Sequence, residues 1–348
     1  MIDWPYVLNT TQLAVDQQSA LASLLLKDRN RAQALHLPID QVHELVRQQW
    51  QLLRSVYPQL RQHYPPIAHG LVNESDLCLS LWTLWMPLAR LMSLWRQQLS
   101  RPLIVGIVGG QGTGKTTLSN LISLLLGHMG YASLSISLDD LYKTYADRQR
   151  LQQQDPRLKW RGPPGTHDVS LGIQTLDQLR LGCSRPIAIP RFDKSAYDGI
   201  GERTSPEYVS NIEIVLFEGW FVGVQPVDPS KFVDAPEPIR TAQDRQFARD
   251  MNDRLREYLP LWERIDRLLV LNPVDYRLSK QWRQQAERER IAAGGHGMSN
   301  DEVEQFVHYF WRALHPELFI SPLIQNHSRA DLVLDVNPDH SYGKVYKP

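Results

Sequence analysis

The stretch that decides the fold is Gly109-Gly110-Gln111-Gly112-Thr113-Gly114-Lys115-Thr116. It matches the pattern G-x-x-x-x-G-K-[ST] and follows the apolar run Leu103–Val108, which predicts a buried strand. A strand, a glycine-rich loop and a helix in this order are typical of a phosphate-binding loop, and they favour it over a turn without a ligand. The apolar residues that predict the helix are Leu118, Ile122, Leu125 and Met129.

The glycines of this loop let backbone N–H groups converge on phosphate oxygens, and the start of the following helix adds partial positive charge. We expect Lys115 to contact the β- and γ-phosphates during catalysis and the Thr116 hydroxyl to bind Mg²⁺. The chain is therefore predicted to bind a nucleoside triphosphate with Mg²⁺. The predicted nucleotide-binding residues are Gly109, Gly110, Gln111, Gly112, Thr113, Gly114, Lys115, Thr116 and Thr117.

The composition excludes several kinds of protein. Among 348 residues, 38 Lys and Arg balance 38 Asp and Glu, so the net charge does not support a nucleic-acid partner. Cys78 and Cys183 lie far apart without the neighbours of a metal site or a disulfide, which indicates reduced thiols. The N-terminus lacks the pattern of a signal or transit peptide, and no apolar run approaches the length of a membrane span. We expect a cytoplasmic protein without a membrane partner.

Two regions differ in their sequence pattern. Residues 1–100 are predicted to be all helical, whereas residues 101–348 alternate predicted strands and helices. This alternation is typical of an α/β fold with a mostly parallel sheet and helices on both faces. Trp82 and Trp85 widen an apolar helical stripe that could face a partner or a membrane. Packing against the second region or a second copy of the chain is favoured, so a homo-oligomer through these helices is one expectation.

Five strands are predicted for the sheet, and two long irregular segments lie between them. The segments 155–168 and 191–210 are rich in Pro, Gly and charged residues. Such long loops beside a nucleotide site are more often substrate-binding elements than plain connections. The strands are predicted at 103–108, 132–138, 213–217, 266–271 and 331–336, of which the last is expected to be the final strand.

Two predicted strands end in acidic residues that suit phosphoryl transfer. Glu218 follows the strand at 213–217, where a carboxylate can hold Mg²⁺ through water or orient an attacking water; capping of a turn is the alternative. Asp139 and Asp140 follow the second strand, at the sheet edge where ligands bind in open α/β folds. A carboxylate there can accept the proton of an acceptor hydroxyl, and Asp139 is favoured for that role over a helix N-cap.

Two basic segments indicate contacts with anions. Cations outnumber acids between Arg157 and Arg203, which weakly favours an anionic acceptor over a solvated surface. Residues 273–298 form a basic helical segment that reaches two glycines, and it is predicted to close as a lid over the phosphates. Within it, Arg283 is the predicted catalytic arginine and Arg288 the next candidate; a surface helix with ion pairs is the alternative.

Several motifs resemble, in their order and spacing, those of the plant-type D-glycerate 3-kinases. The resemblance extends from about residue 103 to at least residue 310. This family belongs with phosphoribulokinase, uridine kinase and bacterial pantothenate kinase among the P-loop kinases. The motifs are DDLY (139–142), WRGPPGTHD (160–168), PRFDKSAY (190–197), GER (201–203), VLFEGW (215–220) and GMSNDEV (297–303).

The resemblance implies a P-loop kinase fold and an enzyme that uses ATP and Mg²⁺ to phosphorylate the 3-hydroxyl of D-glycerate, a photorespiratory step that yields 3-phosphoglycerate. It assigns the role of base to Asp139. It implies that the acceptor is bound by His167, Asp168, Arg191, Asp193 and Arg203. A related kinase for pantothenate, uridine or a sugar phosphate is an alternative, as is a nucleotide-dependent regulator without catalysis. Asp139 and the basic loops favour an enzyme, because a regulator needs no hydroxyl-activating carboxylate.

Overall fold

A central sheet with helices on both faces makes up the fold, as predicted. The computed structural model describes residues 2–63, 73–182, 184–292, 294, 297–326 and 329–348; Cys183 and Gly295, the second glycine of the predicted lid, lie outside them. The strands are β1 (Leu103–Gly109), β2 (Ser133–Ser137), β3 (Ile187–Ile189), β4 (Phe192–Asp193), β5 (Glu202–Arg203), β6 (Glu207–Val209), β7 (Ile214–Gly219), β8 (Arg267–Pro273), β9 (Leu332–Val336) and β10 (Tyr342–Tyr346).

Helices and the turns between them make up the described part of the N-terminal region, and helices alternate with the strands after it. A π-helical turn, Leu81–Trp85, joins two of them into one continuous run. The helices are α1 (Trp4–Asn9), α2 (Val15–Leu26), α3 (Arg29–Ala34), α4 (Val42–His63), α5 (Glu74–Ser80), α6 (Met86–Gln97), α7 (Lys115–His128), α8 (Tyr145–Gln154), α9 (Val169–Arg180), α10 (Ala242–Arg254), α11 (Leu259–Trp262), α12 (Leu278–Ala292), α13 (Asn300–Ala313), α14 (Pro316–Phe319) and α15 (Ser321–Gln325).

The central sheet has the strand order β10-β9-β8-β1-β7-β2. Its neighbouring strands are parallel except β10, which is antiparallel to β9. β1 lies in the middle of the sheet, where it pairs with β7 on one side and β8 on the other, and all its residues are buried. The carboxyl ends of β1, β7 and β2 therefore lie at one edge, where the phosphate loop follows β1.

The residues of β1 alternate between two hydrophobic cores. Leu103, Val105 and Ile107 belong to the core formed with α7 and the N-terminal helices. Ile104 and Val108 belong to the other core, which contains residues of α9, α10 and α13. This alternation is that of a strand covered on both faces. The described N-terminal helices therefore share a hydrophobic core with the sheet.

The tryptophan stripe of the N-terminal region lies inside the fold. Trp82 is fully buried, and its indole N–H donates to the carbonyl oxygen of Leu21 over 3.1 Å. The Trp82 ring lies 6.2 Å from that of Trp4, and Trp85 meets Tyr342 of β10 edge to face at 6.5 Å. The stripe packs within the chain itself, and a homo-oligomer through the N-terminal helices stays a prediction.

The helical run Glu74–Gln97 is long and apolar enough to cross a membrane, by length and composition alone. The expectation that no apolar run reaches this length was therefore wrong. The most apolar part of the run is 72% buried inside the fold, as is common for the core helix of a globular protein. Its packing in the core accounts for its apolar character.

Four short or terminal strands differ from the sequence prediction. The strand predicted to be final, at 331–336, is followed by β10, whose pairing with β9 shifts between Tyr342 and Val345. The segment predicted to be irregular, 191–210, contains β4 paired with β5, and β6 paired with β3. β4, β5 and β6 are two or three residues long and have exposed or half-buried side chains, so they carry no hydrophobic periodicity.

Candidate active site

The phosphate loop connects β1 to α7 in a conformation that favours glycine. Gly112 and Gly114 have φ angles of +77° and +83°, in the left-handed region. A Cβ atom on Gly112 would lie 2.7 Å from Cβ of Trp282, so the loop lies directly against α12. The Thr113 hydroxyl donates to the carbonyl oxygen of Gly110 over 2.8 Å. These contacts position the loop at the start of α7, where phosphate groups are favoured.

Lys115 is the first residue of α7, and its side chain folds over the loop. Its Nζ donates to the carbonyl oxygen of Gly110 over 2.9 Å. Burial lowers the pKa of Lys115, whereas the carboxylates of Glu218 and Asp139 act in the opposite direction. Both carboxylates therefore lie near the ammonium group. From this position Lys115 can exchange its contacts for phosphate oxygens.

Thr116 and Glu218 bring two oxygen ligands together. Thr116 Oγ1 donates to Oε1 of Glu218 over 2.9 Å. Glu218 is buried near the end of β7, opposite Ile107 of β1, which fixes its carboxylate beside the loop. Such oxygens suit Mg²⁺, which takes few protein ligands and completes its coordination with water and substrate phosphates. The described ranges contain no group of three or more His, Cys, Asp or Glu that could hold a metal ion.

Asp139 pairs with a lysine that the sequence analysis did not assign to the site. It lies in a 3-10 turn, Leu138–Leu141, directly after β2, and its Oδ2 is 2.6 Å from Nζ of Lys194. Burial raises the pKa of Asp139, but the Lys194 ammonium and a hydrogen bond with the Tyr142 side chain outweigh it, and the pKa lies below its ordinary value. The carboxylate is therefore held ionised, as a general base requires.

Asp140 and Arg191 form an ion pair that supports the fold beside the site. Oδ2 of Asp140 accepts from the backbone N–H of Ser137 and from Nη1 of Arg191, each over 2.9 Å. Nε and Nη2 of Arg191 donate to Glu207, and Nη1 also donates to the carbonyl oxygen of Ser135. Every nitrogen of this guanidinium has a protein partner, which favours a structural role for Arg191 over the predicted contact with the acceptor.

His167 lies in a buried aromatic environment near Asp139. Its ring stacks on Tyr142 at 4.6 Å, and its Nδ1 is 2.8 Å from the hydroxyl oxygen of Tyr258. That hydroxyl also accepts from the N–H of Gly165 over 2.9 Å, and when it donates its own hydrogen to Nδ1, the ring proton lies on Nε2. Nε2 is buried and has no hydrogen-bond partner among the described residues. Burial lowers the pKa of His167 to about 3, so the ring is neutral at pH 7.

The other predicted acceptor-binding residues lie near the hairpin of β4 and β5. Arg203 donates from Nε to the carbonyl oxygen of Tyr142 over 2.8 Å and from Nη2 to Asp168 over 3.0 Å, while Asp168 also caps α9. In the part of the chain that the structure describes, Nη1 of Arg203 makes no hydrogen bond. Asp193 accepts from the N–H and the hydroxyl of Ser195, which favours a turn-forming role.

Two arginines hold the loop that carries Lys194. Arg148 donates from Nη1 to the carbonyl oxygen of Ile200 over 2.6 Å, and from Nη2 to that of Gly201. Arg161 donates from Nη1 to two carbonyl oxygens of the same loop, over 2.6 and 2.8 Å. These contacts to backbone oxygens leave no pattern in the sequence: the sequence analysis included Arg161 only as a loop cation and as part of a motif, and it did not single out Arg148. They fix the segment between β4 and β5, on which Lys194 lies.

Arg283 lies on α12 and forms an ion pair with Glu287 one turn later, with Nη2 and Oε1 2.6 Å apart. Its guanidinium lies 5.1 Å from the centre of the Phe306 ring. Burial lowers the pKa of Arg283; Glu287 opposes this shift, and the nearby Arg290 and Arg161 add to it. Its Nε is buried without a hydrogen-bond partner among the described residues. This cation is therefore suited to receive an anion, and its catalytic role stays a prediction.

A phosphate loop after β1, a buried glutamate at the end of β7 and an ionised aspartate after β2 define a P-loop phosphotransferase. No protein-family model matches the chain. It is 32% identical to the uncharacterized kinase mug58 of Schizosaccharomyces pombe over 218 residues, which are 60% of this chain and 79% of that protein.

Two D-glycerate 3-kinases are also similar to the chain. The chloroplastic enzyme of Arabidopsis thaliana is 33% identical over 231 residues, 63% of this chain but only 49% of that protein. The solved structure of the enzyme from Cryptococcus neoformans has 28% identity and a TM-score of 0.66, and the match covers 75% of this chain and 97% of that one. The chain belongs to the family of P-loop kinases that contains these proteins.

Proposed function

We propose that this chain is a D-glycerate 3-kinase that transfers the γ-phosphate of ATP to the 3-hydroxyl of D-glycerate and releases ADP and 3-phosphoglycerate. Two similar proteins carry that name. The observation that carries the proposal is the ionised carboxylate of Asp139 near Lys115 of the phosphate loop. A nucleotide-dependent regulator has no use for such a carboxylate, whereas a kinase needs it to accept the proton of the acceptor hydroxyl.

The phosphate loop and Glu218 support the nucleotide half of this reaction. Backbone N–H groups at the start of α7 and the Lys115 ammonium bind the β- and γ-phosphates. The Thr116 hydroxyl and the Glu218 carboxylate would hold Mg²⁺, directly or through water. When bound, Mg²⁺ neutralises part of the charge on the phosphates.

The residues around Asp139 support the acceptor half. Asp139 accepts the proton of the 3-hydroxyl. The Lys194 ammonium then leaves this carboxylate and pairs with an anionic oxygen of the bound substrates. The acceptor carboxylate is bound by Nη1 of Arg203, the guanidinium nitrogen without a protein partner among the described residues, and by Nε2–H of His167. A guanidinium is the strongest available donor for a carboxylate in a partly dry site.

The test uses the purified full chain with MgATP and a panel of D-glycerate, L-glycerate, pantothenate, uridine and ribulose 5-phosphate. ADP release is measured, and Lys115→Ala serves as the inactive control. Release that depends on D-glycerate, with 3-phosphoglycerate as product, supports the proposal. Release with another acceptor identifies a related kinase instead, and ATP binding without acceptor-dependent release identifies a regulator.

The cellular setting is part of the same proposal. A D-glycerate 3-kinase closes the photorespiratory pathway, which is where we place this chain, and we expect it in the cytoplasm. Expression of a tagged chain, followed by cell fractionation and by measurement of accumulated glycerate after gene deletion, tests both points.

A further inference from the structure

A cavity of about 470 Å³ lies beside the phosphate loop, and the reaction proposed above assigns no group of the acceptor or the metal to it. Gly110 and Gln111 form one side of it, and the end of β8, the start of α12 and the helices α13–α15 form the others. Among the described residues, the predicted ligands of the metal and of the acceptor do not line it. A volume of this size is typical of sites for small organic ligands.

The cavity wall is aromatic and carries little positive charge. Its charged residues are Asp275, Arg277 and Glu317, and Arg277 pairs with Asp275 over 3.3 Å. Such a wall disfavours glycerate or a phosphate, which need cations that are not already paired. It favours a flat, uncharged ligand that stacks on aromatic rings. The aromatic lining residues are Trp220, Phe221, Tyr276, Phe310, Trp311 and Phe319.

A polar atom lies at the phosphate-loop side of this wall. Oε1 of Gln111 is buried and has no hydrogen-bond partner among the described residues. A buried amide oxygen without a partner costs free energy, and a ligand N–H or O–H removes that cost. The neighbouring Gly110 carbonyl accepts from Lys115 and Thr113, so a ligand here lies next to the hydrogen bonds that hold the loop.

We propose that this cavity binds a small, neutral, aromatic molecule. The hydrogen-bond donor of that molecule points at Oε1 of Gln111. The site is distinct from the acceptor site, so it does not depend on which acceptor the kinase uses. Because the ligand touches the phosphate loop, its binding is coupled to that of the nucleotide, and the coupling is reciprocal.

Indole and 1-methylindole test the proposal, because they differ in the single N–H donor. Calorimetric titration into the full chain should give saturable binding of indole, with a dissociation constant on the order of 1 mM or tighter. Loss of one hydrogen bond should make 1-methylindole bind about 5-fold more weakly. Gln111→Leu should abolish that difference.

Val307→Phe and Ile320→Trp, which fill the cavity, should weaken the binding of indole at least about tenfold.

Val15→Phe is the matched control, because Val15 is 80% exposed and far from the cavity in sequence. Ile320 is only half-buried, so this variant is expected to fold even if the change at buried Val307 prevents folding. The proposal is overturned if indole does not bind saturably, or if both folded cavity variants bind it as Val15→Phe does. It is also overturned if D-glycerate or ATP displaces indole competitively, because the cavity would then belong to the acceptor site or to the nucleotide site.

Discussion

The ammonium nitrogen of Lys194 lies 2.6 Å from a carboxylate oxygen of Asp139, although the Lys194 side chain is 60% exposed and that of Asp139 only 28%. An exposed side chain loses conformational freedom when it is held in one place, so the pairing persists only because the carboxylate is largely desolvated. In the proposed reaction, the same carboxylate meets the acceptor hydroxyl. Lys194 therefore controls both the ionisation of the proposed base and access to it.

We expect Lys194→Met to shift the acidic limb of the pH–rate profile to higher pH. A base with a depressed pKa stays active until the pH falls through that value. Without the ammonium group, burial is the largest influence on Asp139, and its pKa rises. Activity should then fall at a higher pH, and the loss should be greatest in acidic buffers. Measurement of kcat/KM for D-glycerate from pH 5 to 9 checks this.

Lys194→Arg is the control for this prediction, because it keeps the charge near Asp139. Its acidic limb should stay near that of the unchanged enzyme. A Lys194→Met profile that differs only in height, with the same midpoint, would show that Lys194 does not set the ionisation of Asp139.

Asp139→Asn should lower kcat by about 100-fold or more, the usual scale of a lost general base, while ATP binding changes little. Calorimetry with a non-hydrolysable ATP analogue measures the binding, and steady-state kinetics measures kcat. Asp140→Asn is the contrasting change. Because Asp140 contacts Ser137 and Arg191, it should affect stability more than kcat. If only Asp140→Asn abolishes turnover, the role of base belongs to Asp140.

Arg203→Ala and Arg191→Ala should act on different properties. Loss of a charged donor to the acceptor should lower kcat/KM for D-glycerate by about 30-fold or more in Arg203→Ala. Arg191→Ala should instead lower the free energy of unfolding by roughly 1–3 kcal/mol, because Asp140 loses its charged partner. Kinetics and urea unfolding of both variants separate the two effects. An Arg191→Ala enzyme with full stability and a raised KM would restore the acceptor role predicted from the sequence.

Trp82→Ala should destabilise the chain by about 3–5 kcal/mol, because it creates a cavity and removes the hydrogen bond to Leu21. The KM values of the folded variant for ATP and D-glycerate should stay unchanged, since Trp82 lies in the core shared with the N-terminal helices. Val15→Ala, at an exposed position, is expected to change stability by less than about 0.5 kcal/mol. Equal unfolding midpoints for the two variants would contradict a structural role for the N-terminal region.

The elements with strong sequence patterns could be predicted, and those held by isolated contacts could not. β1, the phosphate loop and α7 were predictable because an apolar run, a glycine motif and a helical repeat follow one another. β10 was missed because it is exposed along part of its length and follows a short turn. The N-terminal helices were recognised as helices, but their position on the sheet depends on long-range packing that a local pattern does not contain.

The same distinction applies to the site. Glu218 and Asp139 could be located because parallel strands end at a common edge. The pairing of Lys194 with Asp139, and the use of all the Arg191 nitrogens within the protein, depend on how a long loop folds back. Loop basicity indicated an anionic acceptor, but it could not distinguish arginines that hold the loop from those that bind the ligand.

The last prediction concerns helix α12, which the sequence analysis predicts to act as a lid. Arg283→Ala should lower kcat by about tenfold or more and leave the KM for D-glycerate nearly unchanged, because its charge is needed only as the phosphoryl group moves. Arg283 lies over Phe306 with its Nε unsatisfied among the described residues, whereas Arg288 on the same helix is exposed. Arg288→Ala is therefore the matched control and should keep most of the activity. Steady-state kinetics with D-glycerate varied at saturating MgATP compares the two variants. If Arg283→Ala raises the KM for D-glycerate while kcat is preserved, this arginine binds the acceptor rather than the transferring phosphoryl group.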